Sequence, residues 1–398
     1  MTSRPIRPGR LAPERSLRQR LTARGSVLRR LDWPLLLAAL ALSALSTLLV
    51  YSATRGRTVL THGDPYYFLL RNIMNTGIGL GLALAAVWVG HQRLRGAVPL
   101  LYALSVLATA AVLTPLGATI NGARSWIQLG GGFSVQPSEF TKITIALGMA
   151  AALASRVDSG EALRPDHRSV VRALGVAALP VLVILLMPDL GSVMVLAVIV
   201  LAALLASGAP GRWIGGLLGA GVLGCVLVWQ LGILDTYQIN RFAAFANPAL
   251  DPYGVGYNTN QARIAIGSGG LTGAGLFHGP QTTGQFVPEQ QTDFIFTVAG
   301  EELGFAGAGA IILLIGVVLW RGCRIARGTD ELYGAVVAAA VVAWFAFQAF
   351  ENIGMTLGIM PVTGLPLPFV SYGGSSMFAA WIGIGLLQSI RVRRPVSA

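Results

Sequence analysis

Apolar stretches of about 20 residues recur along the whole chain, each long enough to cross a bilayer as a helix. They predict ten membrane-spanning helices, near 33–52, 68–90, 97–115, 137–155, 171–187, 190–206, 213–232, 296–320, 333–353 and 374–390. The fold class that follows is an all-α polytopic membrane protein with a large outer loop between spans seven and eight. Residues 1–31 read as a basic, disordered cytoplasmic tail, 32–390 as a single ten-span domain with 233–293 as its large outer loop, and 391–398 as a cytoplasmic tail.

The run 171–206 is interrupted by "MPDLGS" and reads either as one kinked helix or as two spans with a tight turn. Arginine placement decides. With two spans and the N-terminus inside, inner segments hold 22 Lys/Arg and outer segments 7; merging the two gives 17 against 12. The first split follows the positive-inside rule, so both termini are expected in the cytoplasm.

Composition agrees. Charged residues are 12% of the chain, about half of the roughly 25% usual in soluble domains, and mean hydropathy is +0.65. The net charge of +12 therefore marks cytoplasmic loops rather than a nucleic-acid groove. The first 30 residues carry nine arginines. They resemble a signal n-region, but no convincing small-residue cleavage site follows, so the first span is expected to be retained.

Cys225 and Cys323 suggest no disulfide, the four histidines are scattered, and no Cys/His metal spacing exists. No Gly-Lys step supports a Walker loop, and "GSGGLTGAG" (267–275) lacks dinucleotide-binding spacing. Gly211/Gly215 and Gly215/Gly219 are GxxxG matches, best read as close helix packing.

Polar residues collect on the outer side. The 233–293 segment is rich in Asn, Gln, Gly, Tyr and Pro and reads as a folded cap with a short amphipathic helix at 257–267. "INGARSWIQLGGGFSVQPSE" and "GIMPVTGLPLPFVSYGGSS" are similar in character. In the latter, Gly373–Gly374 permits close approach or a left-handed turn, and Ser375 or Ser376 is placed to cap the last span. Lys142 is the only lysine, one turn into the fourth span and three residues after Glu139. Spacing puts the two on one side of that helix, facing the bundle interior or a wet cavity. They form either a self-neutralised packing pair or part of a ligand site. Arg124 and Arg241, on outer loops, are placed to converge with Lys142 on an anionic, lipid-linked ligand.

"NGARSWIQLGGGFSVQPSEFTKI", "MPDLGS", "QARIAIGSGGLTGAGL", "PEQQTDFIFTVAGEELGF" and "NIGMTLGIMPVTGLPLPFVSYGGSS" occur in that order. Together they resemble the RodA/FtsW (SEDS) family of bacterial envelope proteins, over about residues 32 to 390. "MTLGIMPVTGLPLPF" is more similar to the elongation-type members than to the division-type members. The resemblance implies a ten-span peptidoglycan glycosyltransferase that polymerises lipid II on the outer face of the bacterial cytoplasmic membrane, beside a class B penicillin-binding protein. It implies Asp293 in "QQTDFIF" as the catalytic carboxylate. It also implies Glu139, Lys142, Arg124, Arg241, Gln261 and Ser371 as substrate-binding positions. It names no metal site; a divalent cation stays open.

The inventory suits that chemistry independently. A base must take the acceptor hydroxyl's proton, and cations must hold the departing diphosphate. Asp293 offers the first; Arg124, Lys142 and Arg241 offer the second. Asp293 also reads as a helix N-cap or first-turn residue before the eighth span. Another reading of the whole is a lipid II flippase, which would need a hydrophilic path to the inner leaflet. A scaffold for the penicillin-binding protein is a third, and it leaves the buried pair unexplained. A division-type polymerase is the alternative within the family.

Overall fold

The computed structural model describes residues 27–61, 63–120, 123–130, 133–187, 189–232, 239, 245 and 255–394. Its helices are α1 (Val27–Arg30), α2 (Trp33–Thr54), α3 (Thr58–Thr61), α4 (Tyr67–Val89), α5 (His91–Ala111), α6 (Pro137–Asp158), α7 (His167–Leu185), α8 (Leu190–Ala206) and α9 (Gly211–Gln230). They continue with α10 (Val255–Ser268), α11 (Pro280–Thr283), α12 (Ile295–Glu302), α13 (Gly304–Arg327), α14 (Leu332–Leu357) and α15 (Gly374–Val392). Eight of these are long and apolar enough to cross a membrane. The remaining two expected spans are α8, of 17 residues, and α15, of 19.

The divided run at 171–206 is two helices. Asp189 caps α8 by accepting from Ser192 N–H (3.0 Å), and its own N–H returns to Met187 O at 2.7 Å, which closes the tight turn. Asp166 caps α7 in the same way through Ser169 N–H at 2.9 Å. Asp32 caps α2, with Pro34 in the first turn. Its carboxylate also takes a forked contact from Arg321 on α13 (2.8 and 2.6 Å), and its backbone exchanges two 2.8 Å bonds with Gln388 on α15. Both chain ends described are thereby tied to one end of the bundle.

That end also holds His91, Asp158 and Glu331: Arg95 reaches Asp158 at 2.7 Å, and His91 reaches Glu331 at 3.2 Å. By helix alternation the opposite end carries the sheet described below, the segment before α12 and the α14–α15 connection. Helices α6 and α14 bury most of their length and form the centre, against α5, α7, α8 and α13. The buried α15 packs along α4, and α9 lies at the periphery, touching little beyond α8.

Four expectations are corrected. Arg29 and Arg30, assigned to the disordered tail, end a short helix, and residues 1–26 lie outside the described part. The loop before α6, in a chain read as all-α, contains a three-stranded antiparallel sheet: β1 (Gly117–Ile120), β2 (Ala123–Gly130) and β3 (Phe133–Val135) in the order β1-β2-β3. The β-branched and aromatic residues of β2 suit a half-buried strand. The GxxxG glycines of α9 do not serve close packing, because α9 buries no residue and a side chain at Gly211, Gly215 or Gly219 would meet nothing within 4 Å.

Fourth, the eighth span is broken between α12 and α13. Gly304 sits at φ +65°, and a Cβ there would lie 2.3 Å from Gly273 N. The glycine-rich segment fills the break. Ala274 and Gly275 N–H groups bond the Glu301 and Glu302 carbonyls (2.9 and 3.1 Å), while Phe305 and Ala306 N–H groups bond Gly270 O and Leu271 O (2.9 and 3.1 Å). A helix break at membrane depth leaves backbone groups that protein must satisfy. Here "SGGLTGAG" does so, because only glycines admit backbone that close.

Candidate active site

The end opposite the chain termini brings α6, α14, the turn before α12 and the 362–372 segment together around two acidic centres. The first is in α6. Lys142 Nζ donates to Glu139 Oε1 at 2.7 Å and to Gln348 Oε1 at 3.2 Å, and stands 5.1 Å from the centre of the Trp344 ring. Lys142 has no exposed surface and Glu139 keeps 1%. Trp344 Nε1 also donates to Gln348 Oε1, at 2.5 Å. An ammonium this deep requires such partners, since an unpaired buried charge is strongly unfavourable. Glu139 Oε2 is buried with no hydrogen-bond partner.

The second centre is Asp293. It lies in a tight turn in which the N–H groups of Thr292, Asp293 and Phe294 all point to Glu289 O, at 3.1 to 3.3 Å. The cap residue of α12 is Phe294, with no side-chain capping bond, so Asp293 does not have the N-cap role that spacing allowed. Its carboxylate is half-buried against Gly364, where a Cβ would sit 3.4 Å from Asp293 Oδ2. Gly364 has φ +78°, which is the reason for glycine there.

Ser371 clamps this turn. Its hydroxyl donates to Thr292 O and accepts from Leu367 N–H at 2.8 Å, and the next residue, Tyr372, donates its N–H to Gln291 O at 2.9 Å. Ser371 is 2% exposed. Burial pushes the Tyr372 hydroxyl up from its ordinary value, against the opposing influence of Arg71. Arg71 itself stacks over Tyr67 and Phe133, 4.4 and 5.1 Å from the ring centres.

The other expected residues are placed differently. Arg124, on β2, is exposed and donates to Thr114 O at 2.7 Å; no bond joins it to the Lys142 cluster. Arg241 lies outside the described residues. Gln261 is half-buried on α10, which packs against α12 and α14. Ser375 and Ser376 do not cap α15: Ser375 Oγ accepts from Gln136 N–H at 2.9 Å, and Ser376 Oγ donates to Gly373 O. Gly373 is extended at φ 168°, not left-handed. Among the described residues no group of three or more His, Cys, Asp or Glu is placed to hold a metal.

Sequence reasoning missed four residues. Arg263 closes the end of α14 by donating to Leu357 O and Gly358 O (3.0 and 2.9 Å). Arg71 was counted inside a span. Gln348 and Asn352 are the others, and they had a signal: two amides at i and i+4 within an apolar span of "AFQAFENIG" are costly to bury and so functional by default.

A family profile described as "Cell cycle protein", FTSW_RODA_SPOVE, matches residues 32–395. A "Probable peptidoglycan glycosyltransferase FtsW" of Trichlorobacter lovleyi is 34% identical over 368 residues, which cover 90% of this chain and 92% of that one. The crystal structure of the rod shape determining protein RodA of Thermus thermophilus superposes with a TM-score of 0.66 at 31% identity, over 92% of this chain and 97% of the other. A structure described as "Structural coordination of polymerization and crosslinking by a peptidoglycan synthase complex" gives a TM-score of 0.74 at 31% identity, over 91% and 97%.

Proposed function

The chain belongs to the FtsW/RodA/SpoVE family, and on that premise we propose that it is a peptidoglycan glycosyltransferase of the elongation type. Its substrate on this reading is lipid II, used as both donor and acceptor. The end of the bundle opposite the chain termini faces outward, because the arginine-rich segments lie at the terminal end. The membrane is the bacterial cytoplasmic membrane, with both termini on the cytoplasmic side. A class B penicillin-binding protein is the partner that crosslinks the product; the synthase complex of similar fold supports this.

One observation carries the assignment of the site. Asp293 is a carboxylate at the mouth of a broken span, in a turn fixed by its own backbone and by the 362–372 segment, and it is not used as a helix cap. As general base it takes the proton of the acceptor 4-hydroxyl while that oxygen attacks the donor's anomeric carbon. The bond to the lipid diphosphate breaks, and the diphosphate leaves with its charge. It needs little protonation, so one carboxylate is sufficient. Cations stabilise the departing charge. Arg124, on β2, and Arg241, in the 233–293 segment, are assigned to this role, and Gln261 to the sugar. Lys142, enclosed here by Glu139, Gln348 and Trp344, supports the site from below.

Purified full-length chain, incubated with lipid II alone and then with its penicillin-binding partner, is expected to give polymerised glycan. Lipid II moved across vesicle membranes without polymer under both conditions contradicts the glycosyltransferase reading.

A further inference from the structure

Two amides on α14 join the two acidic centres. Gln348 is 2% exposed and Asn352 is fully buried, and they are one turn apart. Gln348 Oε1 faces the donors Lys142 Nζ and Trp344 Nε1, which fixes the orientation of its amide. Its Nε2 therefore donates outward, to Pro366 O at 2.7 Å. Asn352 Nδ2 donates to the preceding carbonyl, Leu365 O, at 2.7 Å, and to Asp293 O at 2.8 Å. Both hydrogens of that amide are used on backbone carbonyls. Asn352 Oδ1 is left buried with no partner, so the side chain is oriented for its donors at the expense of its acceptor.

The segment these amides grip is stiff. In "GLPLPF" (364–369) Pro366 and Pro368 fix their own φ and hold Leu365 and Leu367 extended. One end of it, Gly364, lies against the Asp293 carboxylate, and the other end is clamped to the Asp293 turn through Ser371. Hydrogen bonds thus run from the Lys142 cluster through Gln348 and the proline segment to the Asp293 turn.

We infer that Gln348 and Asn352 are positioning residues, which set the orientation of Asp293 through the Leu365–Pro366 carbonyls and, for Asn352, also directly through Asp293 O, and couple it to the Glu139–Lys142 pair. This rests on the reading of Asp293 as the base. Neither amide touches substrate.

The test uses the full-length chain with lipid II as the probe, thermal unfolding as a folding check, and Asp293→Asn as the control. Gln348→Glu keeps the acceptor for Lys142 and Trp344 but removes the donor to Pro366 O. Asn352→Ala removes both of its donors. Pro366→Gly loosens the segment without altering either amide, and stands in where another variant fails to fold. Each is expected to lower kcat of the folded protein by about 10- to 100-fold, the worth of a small misplacement of a catalytic group, with KM for lipid II within about twofold. Because both amides hold the Leu365–Pro366 segment, the Gln348→Glu/Asn352→Ala double variant falls short of the product of the single losses.

Parental kcat in the folded single variants, with Asp293→Asn inactive, overturns the positioning role and leaves the base assignment standing. Parental kcat in Asp293→Asn overturns the base assignment itself. Losses that multiply in the double variant, or that track only the fraction unfolded, overturn the shared path.

Discussion

Two of the ion pairs among the described residues sit in opposite places. Glu139–Lys142 is in the bundle centre, with side chains 2% and 0% exposed. Arg156, at the end of α6 nearest the chain termini, pairs with Glu161 and Asp166 in water, with its side chain 46% exposed. The distances hardly differ, 2.7 Å for the first against 3.2 and 2.8 Å for the second. What differs is the medium. A pair in water is screened and contributes little. A pair in the interior has no water to fall back on, so every neighbour must be chosen: Gln348 and Trp344 are both turned toward Lys142. Burial converts a common contact into a constraint on the whole site.

The sharpest way to break the comparison is at the buried pair. Lys142→Ala leaves the Glu139 carboxylate enclosed without its cation and is expected to destabilise the protein by about 3–5 kcal/mol, read as a lower unfolding midpoint together with lost polymerisation. Glu139→Gln with Lys142→Met is expected to recover the midpoint but not the activity. Recovery of both would make the pair a packing device only.

A smaller effect is expected at the broken span. Gly304→Ala forces a Cβ into the left-handed region and against Gly273 N, at about 1–3 kcal/mol. Chemical denaturation checks it; an unchanged midpoint would show that the break relaxes freely. Smaller still is Arg156→Ala, expected to leave the midpoint within error at pH 7 because its partners are solvated.

The smallest is a pH effect at Asp166. The nearby Ser169 side chain and the Ser169 N–H, followed by Arg156, hold this carboxyl down at about 2, below the ordinary value near 3.9. A depressed value means that the contribution is complete above the ordinary value and is lost as pH falls from there toward 2. The midpoint gap between Asp166→Ala and the parent should therefore narrow on acidification from pH 5. A gap that widens would contradict the assignment.

How much of this was legible differs by region. The spanning helices were, because each is an apolar run bounded by caps or turns; even the disputed 171–206 run followed from arginine placement, and Asp189 supplies the cap that makes the turn. The Glu139–Lys142 pair was visible as i, i+3 spacing. The break at Gly304 was not, since a hydropathy run does not register a left-handed residue whose neighbours come from the 270–275 segment. The strand setting of Arg124 was hidden for a related reason: sequence puts it on a loop, but it lies on β2, with its guanidinium donating to Thr114 O. The role of Ser371 at the Asp293 turn, across 79 residues, depends on tertiary contact that no local pattern encodes. The motifs marked the site; the hydrogen bonds between them required the fold.

The central claim is that Asp293 acts as a base. Asp293→Asn preserves size and backbone while removing basicity, so the direct measurement is the initial rate of lipid II polymerisation by this variant and by the parent, at equal folded protein and equal partner. The account predicts a stably inserted protein that still binds lipid II and polymerises it about 10²–10⁴-fold more slowly. A rate near the parental one would contradict it and move the search for the base to Glu139, Glu301 and Glu302.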